Sequence, residues 1–292
     1  MRPDTLFELA AAAGMTVRDP RVFESFADFQ RSFQESFEVT QASPQNLRRL
    51  VREIVADAAT DGVVWVQPHF DPHAYTGLGS PEHVMSLVLE EGQSVGADLG
   101  IGFGLTMSAA RHRGPEVAED LARFAARYAG EGVCAFGLAG NEAAYPPEPF
   151  AKAFAIAREA GLTAAPHAGE LGGPDSVRAA VEILGASRIA HGIAAVDDPD
   201  VLSLLVEQDV SLDVCLTSNL FLLEAVSSMS EHPLPRLIAA GGRCSLDADD
   251  PMMFAVGLLD EHEIARTELA FTDDQLAELA RTSIETATLP DQ

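Results

Sequence analysis

Short runs of almost wholly apolar residues alternate along the chain with longer stretches whose apolar residues recur at three- to four-residue spacing. The short runs lie at 63–67, 99–105, 133–138, 163–167, 188–191, 210–214 and 243–246, and Gly, Asp or Pro bounds each of them. Being apolar on both faces, they are expected as strands of a parallel sheet buried on both sides. The stretches 81–91, 115–128, 146–160, 175–184, 199–208 and 233–240 are expected as helices. Several open on Pro, whose missing N–H costs nothing in a first turn. Helices are also expected at 5–13, 21–37 and 44–59 before the first strand, and at 252–261 and 273–287 after the last. Repeated strand–helix units imply a parallel α/β fold. Polar, chemistry-bearing residues follow several successive strands. This favours a closed (β/α)8 barrel of the TIM type over a doubly wound sheet. Seven strands are found where a barrel needs eight, and the absent unit belongs before Met1.

Composition narrows the function classes. With 19 Lys and Arg against 45 Asp and Glu, the 292-residue chain carries a formal net charge of −26. Such a chain has no cation excess to neutralise phosphates, so neither nucleic acid nor anionic membrane is an expected partner. No apolar run of about 18 residues is present, which excludes a spanning helix, and no secretory leader pattern opens the chain. Cys134, Cys215 and Cys244 are too few and too scattered for a disulfide framework. A cytoplasmic location is expected. Nothing in the sequence sets the oligomeric state.

Candidate chemistry sits at the strand ends. His167 closes one strand with Glu170 three residues on, a pattern that can set a metal ligand beside an acid/base group. A hydrogen-bonded core histidine is the plainer alternative. His191 closes the next strand, and residues 216–219 (Leu-Thr-Ser-Asn) follow the one after. Asp249 and Asp250 stand after the last. One of these carboxylates can bind a metal while the other faces substrate, or either can cap the helix opened by Pro251. Four such signatures on one barrel edge favour a metal hydrolase. Phe23, Phe26, Phe29, Phe33 and Phe37 share one broad helical face, suited to core packing, to an apolar lid, or to both. His69 and His73 are expected to buttress a loop beneath the site.

Taken together and in order, residues 167–170, 191–192, 216–219 and 249–251 resemble the adenosine deaminase family of metal-dependent amidohydrolase barrels. The likeness spans essentially the whole chain and includes Leu138, Ala139 and Gly140 and the opening residues 2–6. Leu216 stands where the family usually has Pro, and Asn141 where it often has Asp. The family's first strand, with its His-x-His pair, has no counterpart here. Two accounts are open: a first strand lost upstream of Met1, or decay into an inactive protein.

The resemblance implies one barrel domain. Residues 1–61 would form a helical lid region, 62–250 would carry strands two to eight, and 251–292 would supply the closing helices. It implies zinc, held by His167, Asp249 and two ligands from the absent strand. With two ligands alone, weak zinc binding, little turnover and aggregation are expected. It also implies hydrolytic deamination of adenosine or a close 6-aminopurine nucleoside to the 6-oxo purine and ammonia. Glu170 would protonate N1 from a raised pKa, His191 would orient the attacking oxygen, and Asp250 would bond N7. The Gly140 N–H would face N3, and Phe26, Phe29 and Phe33 would cover the purine. Adenine and 6-amino-6-deoxyfutalosine are alternative substrates. A catalytically silent scaffold that binds nucleoside or a partner is the alternative of another class.

Overall fold

The protein is described from a computed structural model, which covers residues 1–222 and 226–288. The last four residues of the expected 251–292 segment lie outside the described residues. In chain order the elements begin with α1 (Pro3–Ala12), α2 (Phe26–Thr40), α3 (Pro44–Thr60), β1 (Trp65–Val66), β2 (His69–Phe70) and α4 (Pro81–Leu99). Then come β3 (Gly102–Phe103), β4 (Leu105–Ala110), α5 (Pro115–Ala126), β5 (Val133–Ala139), α6 (Ala151–Glu159), β6 (Thr163–Ala164), β7 (His167–Ala168) and α7 (Pro174–Glu182). The chain continues through β8 (Arg188–His191), α8 (Pro199–Glu207), β9 (Ser211–Val214), α9 (Leu216–Leu222), α10 (Leu234–Ala239) and β10 (Arg243–Leu246). It ends on α11 (Pro251–Phe254), α12 (Leu258–Thr267) and α13 (Asp273–Thr286).

The expected α/β class with parallel strands is found: every named strand pair is parallel. Backbone pairing among the described residues does not run round a closed barrel. Two of the interruptions have a local cause. Pro68 and Pro166 bring no N–H to a ladder, so the runs expected at 63–67 and 163–167 give paired segments on either side of them. The run expected at 99–105 is displaced: Leu99 ends α4, Gly100 caps it in the left-handed conformation, and the strand extends to Ala110. The helix expected from residue 21 starts at Phe26, where the Ser25 side chain accepts from the Asp28 N–H. Three prolines among residues 146–149 hold the next helix back to Ala151. The helix expected at 252–261 breaks at Ala255, which has φ +57°. Residues 216–219, expected after a strand, already belong to α9.

The chain divides into two compact units. The first comprises residues 1–66, 72–104 and 248–260. Its helices bury Leu6, Ala10 and Val39 with Met1, and Leu50 and Met252 pack against this cluster. Glu53 is buried, accepting from Arg2 N, Thr5 Oγ1 and Arg49 Nε at 2.9, 2.8 and 2.6 Å. Arg48 and Arg52 of α3 clasp Glu91 of α4. Gly102 of β3 must be glycine, because a Cβ there would lie 2.2 Å from the Trp65 ring of β1.

Among the described residues, the second unit comprises 67–71, 105–222, 226–247 and 261–288. Its strands run in the order β2-β4-β5-β6 and β7-β8-β9-β10. The two sets join where Ala165 N donates to Phe136 O and Ala190 N donates to Pro166 O, at 2.9 and 3.0 Å. The core is built from strand residues such as Met107, Phe136, Leu138, Ile189 and Leu212, packed by Leu121 and Phe154 from the helices. All three cysteines are buried free thiols. Among the described residues, no helix is long and apolar enough to cross a membrane.

Candidate active site

In the second unit, His69, His167, Glu170 and His191 lie on or just beyond the strands. His167 begins β7 and His191 ends β8, and their register sets His167 opposite Ala190 and Ala168 opposite His191. Their rings lie 5.2 Å apart, and ring nitrogens of the two come within 4.8 Å of each other. His69, on β2, meets His167 edge to face at 5.1 Å. It therefore belongs to this cluster and does not buttress a loop beneath it, as the sequence had suggested. His69 sits opposite Thr106 in register, which its spacing from His73 could not reveal.

Glu170 Oε2 lies 3.7 Å from His191 Nε2, with both side chains nearly withdrawn from solvent. Backbone geometry aims them. His191 takes φ +67° and Gly192 φ +70°, so the strand ends in two consecutive left-handed residues. A non-glycine residue there stores strain, of the kind that gathers at functional sites. Gly169 has φ +67°, and a Cβ on it would lie 2.4 Å from Val177 Cγ2. Only glycine lets the chain turn there from His167 to Glu170.

That turn is held by Glu142. β5 ends at Ala139, and Gly140, at φ +104°, turns the chain towards residues 141–142. The Asn141 side chain accepts from Ala144 N at 3.0 Å and sets this loop. The buried Glu142 carboxylate then accepts the backbone N–H groups of Gly169, Glu170, Leu171 and Gly172 at 2.7, 3.1, 3.0 and 2.9 Å. Ser176 Oγ donates to it as well. Arg111, fully buried, donates to the His167 carbonyl at 2.6 Å and to the Tyr145 carbonyl at 2.7 Å. Neither Glu142 nor Arg111 was singled out in the sequence. The one signal was a charged residue beside an otherwise apolar strand end.

His167 is kept neutral, its pKa well below the usual imidazole value, first by burial and then by the neighbouring His69, His191 and Arg111. Its Nδ1 is buried and meets no hydrogen-bond partner. A neutral imidazole with an unused nitrogen is what a divalent metal requires. Behind His191, Asn219 Nδ2 approaches His191 Nδ1 at 3.1 Å, and Asn219 Oδ1 approaches His232 Nε2 at 3.3 Å. Asn219 rides on α9, whose first two N–H groups, of Leu216 and Thr217, donate to the buried Glu261 carboxyl. Burial pushes the Glu261 pKa up to about 7. On β9, Asp213 pairs with Arg188 Nε at 2.5 Å and accepts from Ser245 Oγ at 2.8 Å.

The structure thus brings together His167, Glu170 and His191. Of the other residues expected at the site, Asp249, Asp250, Phe26, Phe29 and Phe33 lie in the first unit and Gly140 in the second. Asp249 has φ +52°, and Asp250 occupies the N-cap of α11 without a side-chain capping bond, so the plain capping alternative fails for Asp250. Phe26, Phe29 and Phe33 lie on α2, Phe33 being largely exposed. Phe29 stacks on Phe26 and on Phe254 at 6.0 and 5.7 Å, and Phe23, ahead of the helix, meets both Phe29 and Phe254 edge to face.

Known proteins resemble the chain over its whole length. The adenosine deaminase family model matches residues 1–292. A putative adenosine/adenine deaminase of Streptomyces virginiae is 38% identical over 302 residues, covering 100% of this chain and 89% of its own. The crystal structure of an adenine deaminase from Arthrobacter aurescens superposes with a TM-score of 0.86 at 29% identity, covering 99% of this chain and 90% of its own. A zinc-bound amidohydrolase from Burkholderia ambifaria shares the fold, with a TM-score of 0.87 at 24% identity, covering 100% and 83%. The chain therefore belongs to the adenosine deaminase family and is a hydrolase of C–N bonds, a deaminase of the adenosine/adenine type.

Proposed function

We propose that the protein converts adenosine, or a close 6-aminopurine nucleoside, to the 6-oxo purine and ammonia. One observation carries this reading: a buried carboxyl, Glu170, faces a buried imidazole, His191, across 3.7 Å and beside the neutral His167. Deamination needs a proton delivered to ring N1 and a polar group facing the oxygen that attacks C6. Glu170 delivers the proton and His191 orients the oxygen. The family resemblance adds Asp250 for N7, the Gly140 N–H for N3, and Phe26, Phe29 and Phe33 as the apolar cover that excludes water.

The residues fit a divalent metal, since His167 offers an unpartnered buried nitrogen in its neutral form. His167 would hold zinc, and the resemblance adds Asp249. When bound, zinc lowers the pKa of water towards neutrality and makes a nucleophile available at neutral pH.

Ammonia release from adenosine, adenine and 6-amino-6-deoxyfutalosine, with zinc supplied, tests the proposal and separates the three ring-amine substrates. Glu170→Gln is expected to reduce release by roughly 10²-fold or more, since general acid catalysis contributes on that scale. Tight nucleoside binding with no ammonia from any of the three would instead support a silent binding scaffold.

A further inference from the structure

The chain of groups behind His191 has a direction. The backbone N–H of Leu234 donates to His232 Nδ1 at 3.1 Å. A ring nitrogen that accepts a hydrogen bond carries no proton, so the proton of neutral His232 sits on Nε2. His232 is neutral: it is 2% exposed, and burial lowers its pKa to about 4. Its Nε2–H points at Asn219, which must present oxygen there, as the 3.3 Å contact to Oδ1 has it. With the oxygen so engaged, the Asn219 amide presents its N–H₂ to His191 Nδ1 at 3.1 Å. The opposite amide orientation would set two donors head to head in a site where Asn219 is fully buried and His191 is 1% exposed. Both side chains are sealed from bulk solvent, so that conflict would go uncompensated.

We propose that Leu234 N–H, His232 and Asn219 form a one-way hydrogen-bond relay that locks His191 in the tautomer protonated on Nε2. His232 and Asn219 are then positioning residues. The consequence separates the two strand-end histidines. A histidine binds metal through a bare ring nitrogen and carries its proton on the other. His191 is held as a donor facing Glu170, whereas His167 retains an unpartnered nitrogen. The relay deepens the deaminase reading: it sets the proton with which His191 orients the attacking oxygen.

The tautomer is read directly by long-range ¹H–¹⁵N correlation on protein labelled in its histidine rings, with His191 assigned as the signal lost in His191→Gln. In the unaltered protein His191 is expected to carry its proton on Nε2, with Nδ1 bare. Asn219→Asp replaces the amide donor with a carboxylate that only accepts, and should move the His191 proton to Nδ1. His232→Gln can offer Asn219 either an oxygen or an N–H, and should give a mixture of both His191 tautomers. A proton on Nδ1 in the unaltered protein would overturn the relay. So would an unchanged single tautomer in either variant when its circular dichroism is native. If Asn219→Asp does not fold, the unaltered protein and His232→Gln decide the matter. In the ammonia assay Asn219→Asp should lose roughly 10²-fold or more in kcat, with KM within about threefold, as expected of a wrong tautomer. These readouts are separable. An Nε2-protonated His191 without ammonia release would remove the deaminase reading and leave the relay standing.

Discussion

Glu142 takes four backbone N–H groups from residues 27 to 30 positions further along the chain. No periodicity or short motif announces such a partnership. The strand-end residues His167, Glu170 and His191 were legible because each follows an apolar run at a fixed offset. Glu142 and His232 were not, and the places of His69 and Asn219 were missed though both residues were named, because their importance lies in contacts that only the folded chain makes. Glutamine at position 142 keeps one acceptor oxygen and turns an N–H₂ towards backbone donors. Leaving a buried donor unmet costs about 1–3 kcal/mol, so Glu142→Gln should lower stability by roughly 2–4 kcal/mol in urea unfolding. The same change frees the Glu170 backbone, and displacement of a reacting group by about 1 Å can cost roughly 10²-fold. Ammonia release should therefore fall about 10- to 100-fold in the fraction that stays folded, with KM little changed.

Among the elements, most helix starts and strand cores followed the residue pattern, apart from the helices that begin at Phe26 and Ala151 and the strand that extends to Ala110. β8 and β10 lie where the apolar runs at 188–191 and 243–246 set them. α9 was hidden because residues 216–222 are too few to show a helical period, and its start is fixed by a carboxyl from another helix. Glu261 of α12 accepts from Leu216 N and Thr217 N. Its pKa in the fold, about 7, exceeds the 4.5 of a free carboxyl. The folded state therefore prefers the protonated form. The stability this group allows is fully present below about pH 4.5 and is lost as pH rises through 7. The difference is worth roughly 3 kcal/mol at most. Glu261→Gln, which cannot ionise, should remove that decline. Unfolding curves at pH 5 and pH 8 should differ less for the variant than for the parent protein. An equal decline in both would show that another group is responsible.

The whole molecule carries −26 formal charges at pH 7, with 45 acidic residues against 19 basic ones. Many of the basic residues are already matched: Arg2, Arg48, Arg49, Arg52, Arg113, Arg123 and Arg243 each pair with a carboxylate. The excess is therefore largely unpaired acid, and it repels itself in the folded state more than in an expanded chain. Raising sodium chloride from about 20 to about 200 mM shortens the Debye length from roughly 20 to 7 Å. The thermal midpoint should rise by several degrees over that range. A flat or falling midpoint would show that the surface ion pairs outweigh the repulsion. The charge was fully legible in the sequence, whereas the division of the chain into two compact units was not, because the segments of each unit are discontinuous.

Leu234 supplies the first link to the buried imidazoles, and its amide proton is held by a ring nitrogen at the start of α10, where the helix itself offers no carbonyl. That proton is an internal gauge. Its exchange with deuterated solvent requires the buried His232 contact to open, so its lifetime reports local openings of the pocket wall without ligand, label or catalysis. Compounds that tighten the site should slow this one amide far more than its neighbours on the exposed side of α10. A screen by exchange mass spectrometry could then rank binders before any substrate is known.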